Sequence, residues 1–129
     1  MYLNTMIKNK KNQAVWNIRV SKKISSNFQK AGSSIKIDKR LFKEDIICSI
    51  VHAEMLCKQK IISLKLKNKL VWGLNKIKNE IIKKKFIFNS SQEDIHMAIE
   101  KRLFEIIGED AGYIHTARSR NDQVITDFK

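Results

Sequence analysis

An all-α fold is predicted by three observations. The 129 residues contain no proline and only four glycines, so few positions interrupt a helix. Apolar residues recur every three or four positions through most of the chain instead of alternating, which is the helical period. Polar residues able to cap a helix stand where several of these stretches begin. The length fits one ordinary domain. Hydrophobic content of 43% and charged content of 30% suit a globular chain, and no apolar run approaches the ~20 residues of a membrane span.

The elements follow in order. "MYLNTMIKNKKNQ" is basic and lacks the apolar stretch of a secretory signal, so a cytoplasmic location is expected, and Met6 is as good a start as Met1. Residues 1–15 are expected to form a basic N-terminal arm. Between Ser21 and Ala31, Val20, Ile24 and Phe28 form one stripe at four-residue spacing. The polar turn "AGSS" follows, and Asp38 is then expected to cap a second helix whose stripe is Phe42, Ile46, Ile50, Ala53 and Cys57. His52 falls beside that stripe and reads as a packed or surface histidine. Ser63 should cap a third helix carrying Leu66, Leu70, Leu74, Ile77 and Ile81, with Trp72 on another face. Ser90 and Glu93 stand at capping-box spacing before a fourth, with Ile95, Ile99, Leu103 and Ile106 on one face and Gly108 as its stop.

Cys48 and Cys57 have neither a CxxC nor a zinc-like spacing, so two reduced, partly buried thiols are expected and no metal site. The net charge of +13 and pI near 9.9 raise the question of an anionic partner. Lysines are spread from Lys8 to Lys129. The densest group, Lys83 to Lys85, has only Phe86 and Phe88 nearby as stacking surfaces, so the distribution does not point to nucleic acid. A small basic helical module binding RNA or another anion is the alternative reading of the whole chain.

Two places carry polar chemistry. On the fourth helix His96 and Glu100 lie one turn apart and share a face. They are either a helix-surface pair or a histidine held by a carboxylate beside a polar cleft, and no third metal ligand appears at a recognisable spacing. Further on, "GEDAGYIHTARSRND" reads as a glycine-punctuated loop, and "NDQVITDFK" as a helix start with Asn121 or Asp122 near the cap and Val124 and Phe128 one turn apart. Arginine forks and the N–H groups of a helix start both favour anions, so this junction suits a substrate with several carboxylates. A loop tied by its own Asn, Asp and Arg side chains would look the same.

At these residues the sequence resembles a known family. "EDIHMAIEKRLFEIIGEDAGYIHTARSRNDQVITD" closely resembles the first signature region of the argininosuccinate lyases, whose relatives include the δ-crystallins. The fumarase, aspartase and adenylosuccinate lyase families share the fold but lack this H-T-x-R-S-R-N-D-Q-V string. Trp16 to Arg19 resembles the family's W-G-G-R opening, and "SSIKIDKRLFKEDI" resembles the serine-containing segment before its first long helix.

The resemblance implies an all-α, homotetrameric lyase that cleaves argininosuccinate to arginine and fumarate by β-elimination, with no metal or organic cofactor. It implies the N-terminal helical domain of the fumarase/aspartase-like fold over residues 16–120, with 121–129 opening the central helix-bundle domain, where the chain is cut. Ser34, Arg120 and Asn121 match substrate-binding positions, Arg120 as a carboxylate clamp. His96, His115, Thr116, Arg118, Ser119 and Asp122 match residues that line the site or shape its loop. Family members are several times longer, and the catalytic serine loop and acid/base histidine fall in regions this chain lacks, so no catalytic residue is expected within it. Ala117 stands where the family has glycine, and at a position of positive φ its Cβ would cost roughly 1 kcal/mol.

Overall fold

The computed structural model describes residues 34–88 and 94–127. The 1–15 arm, the Trp16 to Arg19 segment, the helix expected over Ser21 to Ala31, the Ser90 and Glu93 capping box, and Phe128 lie outside the described residues. Every element among the described residues is helical. A single turn, α1 (Ile35–Asp38), runs through a 3-10 turn (Lys39–Leu41) into α2 (Phe42–Lys58). Then come α3 (Leu64–Ile82), α4 (Ile95–Ile107), a 3-10 stretch (Gly108–His115) and α5 (Arg120–Asp127).

Side-chain chemistry sets the helix starts. The Ser63 hydroxyl accepts the Leu66 N–H at 3.2 Å, as expected. The Asp94 carboxylate accepts the Met97 N–H at 2.7 Å and caps α4. Asp38 does not cap α2: helical turns already run through it, and its carboxylate accepts the Ser34 hydroxyl instead.

Helix ends close without glycine in two places. At the end of α2 the Ile61 N–H bonds the Leu56 carbonyl at 2.9 Å and the Lys60 N–H bonds the Cys57 carbonyl at 2.9 Å. At the end of α3 Lys85 bonds Glu80 at 2.8 Å and Lys84 bonds Ile81 at 3.0 Å in the same pattern. Both are Schellman closures that put Lys60 (φ 60°) and Lys84 (φ 54°) in the left-handed region. Gly108 ends α4 at φ 75°, where glycine carries no Cβ penalty.

The core lies between α2, α3 and α4. Ile46, Ala53 and Leu56 meet Leu70, Leu74 and Ile77, and Ile95, Ala98, Ile99, Leu103 and Ile107 close the cluster. The expected stripes of α3 and α4 face it, Leu66, Ile81 and Ile106 only half-buried at its edge. On α2, Leu56 is fully buried whereas Cys57 stays half-buried. Both thiols are free and half-buried. Gly73 lets α3 and α4 approach: a Cβ there would stand 2.6 Å from Leu103 Cδ1 and 3.2 Å from Ile107 Cγ2. Outside the core, Arg102 clasps Glu80 through Nε (2.8 Å) and Nη2 (2.9 Å), a two-pronged pair joining α4 to α3.

Leu103→Ala should therefore cost about 3 kcal/mol through lost burial and the cavity left behind. Trp72→Ala, at a position 57% exposed with Lys76 over its ring, should cost under about 1 kcal/mol. Urea denaturation of the two variants measures the difference, and equal losses would remove Leu103 from the core.

Candidate functional site

The segment expected to be a long loop is mostly helical. Residues 108–115 form a 3-10 stretch because Ala111 and Ile114, three apart, fall on one line and are each 5% exposed. Only Thr116 to Ser119 is a turn. Ala117 sits in it at φ 54°, the left-handed conformation in which a Cβ is strained. The cap of α5 is Ser119, one position before Arg120, rather than Asn121 or Asp122. Its hydroxyl accepts the Asn121 N–H at 3.2 Å and its carbonyl accepts the Gln123 N–H at 3.2 Å.

One face of α2 holds this turn in place. Asp45, Ser49 and His52 stand at i, i+4 and i+7, a single helical stripe. His52 Nε2 donates to the Thr116 carbonyl at 3.0 Å. Arg118 Nη1 donates to Ser49 Oγ at 3.0 Å. Gln123 Nε2 donates to Asp45 Oδ1. Burial pushes the His52 imidazole down, the Thr116 carbonyl opposes that, and the charges of Arg118 and His115 add to the fall. The contact requires a proton on Nε2.

His96 does not pair with Glu100. It is 2% exposed, and its Nδ1 donates to Asp45 Oδ1 at 2.9 Å, with Asp127 Oδ2 3.5 Å away. Burial alone would lower the His96 pKa, but the hydrogen bond and charge of Asp45, helped by Asp94, outweigh it and raise the value. Burial, and then the charge of Asp45, push the Asp127 carboxyl up to about 6. Asp45, His96 and Asp127 bring ligand atoms within 4.8 Å of one another, close enough to consider a cation. However, His96 turns a proton-bearing nitrogen to Asp45, whose Oδ1 also receives Gln123. The arrangement is therefore that of Asp45 as an acceptor shared by His96 and Gln123, with the Asp127 carboxylate beside them.

Glu100 serves the turn instead. Its Oε2 accepts Arg120 Nη2 at 3.1 Å, and its Oε1 lies 2.7 Å from His115 Nε2, a close contact without aligned hydrogen-bond geometry. Arg120 Nη1 also reaches Asp94 Oδ1 at 3.5 Å. Arg120 remains one-third exposed, and Asn121 and Asp122 are exposed on the first turn of α5. The structure thus gathers His96, His115, Thr116, Arg118, Ser119 and Arg120 around α2 and α4. Ser34, near the start of the described chain, is exposed with its hydroxyl turned to Asp38.

Sequence reasoning missed Asp45, Ser49, Asp94, Gln123 and Asp127. The signal available for the first two was their spacing with His52 along α2, which the neighbouring apolar stripe overshadowed.

Two outcomes follow from this geometry. Ala117→Gly should relieve the left-handed strain and raise stability by up to about 1 kcal/mol, measurable by urea denaturation. A loss would show that the turn tolerates its Cβ. The pH dependence has a definite sign. Asp127, raised from 3.8 to about 6 in the fold, takes up protons on folding, so its contribution falls as pH rises from about 4 through 6. His96, raised above 6.5, contributes fully below that value and loses the contribution as pH rises through its folded pKa. Both run the same way. Glu80, lowered by Arg102, acts only on the acid side of this window. Asp127→Asn should therefore gain stability relative to the unmodified chain as pH rises from 4.5 to 7. A difference that stays flat with pH in thermal melts would contradict the buried-carboxyl account.

Comparison with known families matches residues 18–129 to the family described as lyase. The chain is 67% identical over 124 residues to an argininosuccinate lyase of Pelagibacter ubique, covering 96% of this chain and 27% of that protein. It is 52% identical over 118 residues to an argininosuccinate lyase of Campylobacter hominis, covering 91% and 26%. It is also 59% identical over 95 residues to one from Dehalococcoides mccartyi, covering 74% and 21%. The chain spans about a quarter of the length of these relatives. With a match that takes in all five described helices and the turn they hold, the chain belongs to the lyase family, in its all-α N-terminal region, and is similar to argininosuccinate lyases along most of its length.

Proposed function

We propose that this segment supplies the first substrate-binding region of an argininosuccinate lyase, cleaving argininosuccinate to arginine and fumarate by β-elimination. The observation that carries the reading is the construction of the 115–123 segment. It is fastened by Asp45, Ser49 and His52 from α2 and by Glu100 from α4, and it leaves Arg120 one-third exposed and Asn121 exposed where α5 opens. A guanidinium fork, an amide and the N–H groups of a helix start belong to this segment, a set that binds carboxylates.

In the elimination a base takes a proton next to a carboxylate, the resulting aci-carboxylate needs positive charge and donors, and the guanidinium leaves after protonation. Arg120 would clamp a substrate carboxylate and Asn121 would bond its polar atoms, with Ser34 as a further contact. Thr116, Arg118, Ser119, His115 and His96 shape and hold the segment, and Asp122 lines it. The proton-transfer groups would come from regions beyond this chain, within a cytoplasmic homotetramer. None of these roles needs a metal or organic cofactor.

The test joins this chain to the C-terminal remainder of the Pelagibacter relative and follows fumarate release. The joined protein should turn over argininosuccinate, whereas the 129-residue chain alone should not exceed a boiled control. Asn121→Ala and Arg120→Lys should each lose about 2 to 4 kcal/mol of transition-state stabilisation, roughly 30-fold to 10³-fold in rate, because lysine lacks the fork and the alanine leaves a substrate group without its partner. Lys65→Ala, on an exposed face of α3, should change the rate less than about twofold. Near-unmodified rates for both Asn121→Ala and Arg120→Lys would mean that the segment is purely structural.

A further inference from the structure

Glu100 is an acidic residue placed between the histidine and the arginine that bracket the signature turn. His115 ends the 3-10 stretch and Arg120 begins α5, so the two side chains mark the entry and exit of Thr116 to Ser119. The two carboxylate oxygens divide between them, Oε1 at 2.7 Å from His115 Nε2 and Oε2 at 3.1 Å from Arg120 Nη2. Glu100 stands in the middle of α4, whose neighbours Ala98, Ile99 and Leu103 are in the core. A rigid, packed helix thus presents the anion, and its side chain is only 23% exposed. Arg120 has a second anchor, Asp94 Oδ1 at 3.5 Å from Nη1, but that oxygen already accepts the Met97 N–H at 2.7 Å. Glu100 is therefore the stronger hold. A guanidinium carries five N–H donors in one plane, so two anchors on the Nη side leave further donors to face a ligand, with the plane already set.

We propose that Glu100 is a positioning residue, holding Arg120 and His115 across the signature turn so that the free edge of the Arg120 guanidinium is presented to a substrate carboxylate. This rests on the function proposed above. An arginine fixed in orientation before binding loses less side-chain freedom on binding, which strengthens the complex without any new contact. Because such a clamp holds substrate and transition state alike, disturbing it should raise KM more than it lowers kcat.

The test has two arms. In the 129-residue chain itself, NMR of the arginine side chains, assigned with Arg120→Lys, should show hindered rotation of the Arg120 guanidinium. Glu100→Gln should release that rotation and move the ring signals of His115. Unchanged Arg120 and His115 signals in Glu100→Gln would overturn the proposal. In the joined protein, Glu100→Gln should raise KM roughly 10-fold to 100-fold with kcat changed less than about threefold. Glu100→Asp, which keeps the charge on a shorter arm, should recover part of the loss. Adding Glu100→Gln to Arg120→Lys should raise KM little further, since the one residue acts through the other. A fall in kcat with KM unmoved, or additive effects in the double variant, would show that Glu100 only supports folding. An inactive joined protein would instead count against the proposed function, and the NMR arm alone would then decide whether Glu100 holds the turn.

Discussion

The buried carboxylate of Asp45 is the constraint on which the site depends. A charged group 1% exposed is tolerable only when donors replace the water it has lost. Two donors do so at the same oxygen, His96 Nδ1 from α4 and Gln123 Nε2 from α5. The requirement fixes three helices relative to one another, because moving any of them would leave a charge or an amide buried without its partner. Apolar packing alone would hold α2 on α3 and α3 on α4 with some latitude. The directional bonds at Asp45 remove that latitude for α5, which begins with Arg120 and Asn121.

Helix α2 performs two tasks on adjacent stripes. Ile46, Ala53 and Leu56 enter the core, while His52 and Ser49 reach the signature turn and Asp45 reaches the first turns of α5. Since all three polar contacts rise from one rigid helix, the turn is gripped at Thr116 and Arg118 and the helix that follows it at Gln123. That grip sustains Ala117 at φ 54° against the strain of its Cβ. A stretch crowded with polar groups is thus an ordered structure whose arginines have assigned places, Arg118 on Ser49 and Arg120 on Glu100.

Electrostatics in the site is local. The chain carries a net charge of +13, yet around the turn acids and basic side chains are matched: Asp45, Asp94, Glu100 and Asp127 stand among His96, His115, Arg118 and Arg120. Among the described residues, many lysines lie on exposed faces of α3 and in the turn after it. The overall charge therefore says little about the chemistry at the signature segment, where pairing at short range decides which groups are charged.

The sequence by itself determined the helical class, the stripes of α3 and α4, the Ser63 cap and the Gly108 stop. These depend on neighbours three or four residues away, and such spacing is visible in one dimension. It also singled out the segment from 115 to 124, because eight polar residues in a fixed order within ten positions resemble one family. Several features were decided only by the tertiary structure. His96 turned from Glu100 to Asp45, because a histidine facing the core must find a buried acceptor and the nearest one came from a helix 51 positions away in the chain. Glu100 was released to hold His115 and Arg120, pairs separated by the turn and the 3-10 stretch. The expected cap at Asp38 gave way to continuous helical turns, and the start of α5 moved to Ser119, since a cap is settled by which side chain reaches a free N–H in three dimensions. Local periodicity is written along the chain; which buried donor meets which buried acceptor is fixed only when the helices pack.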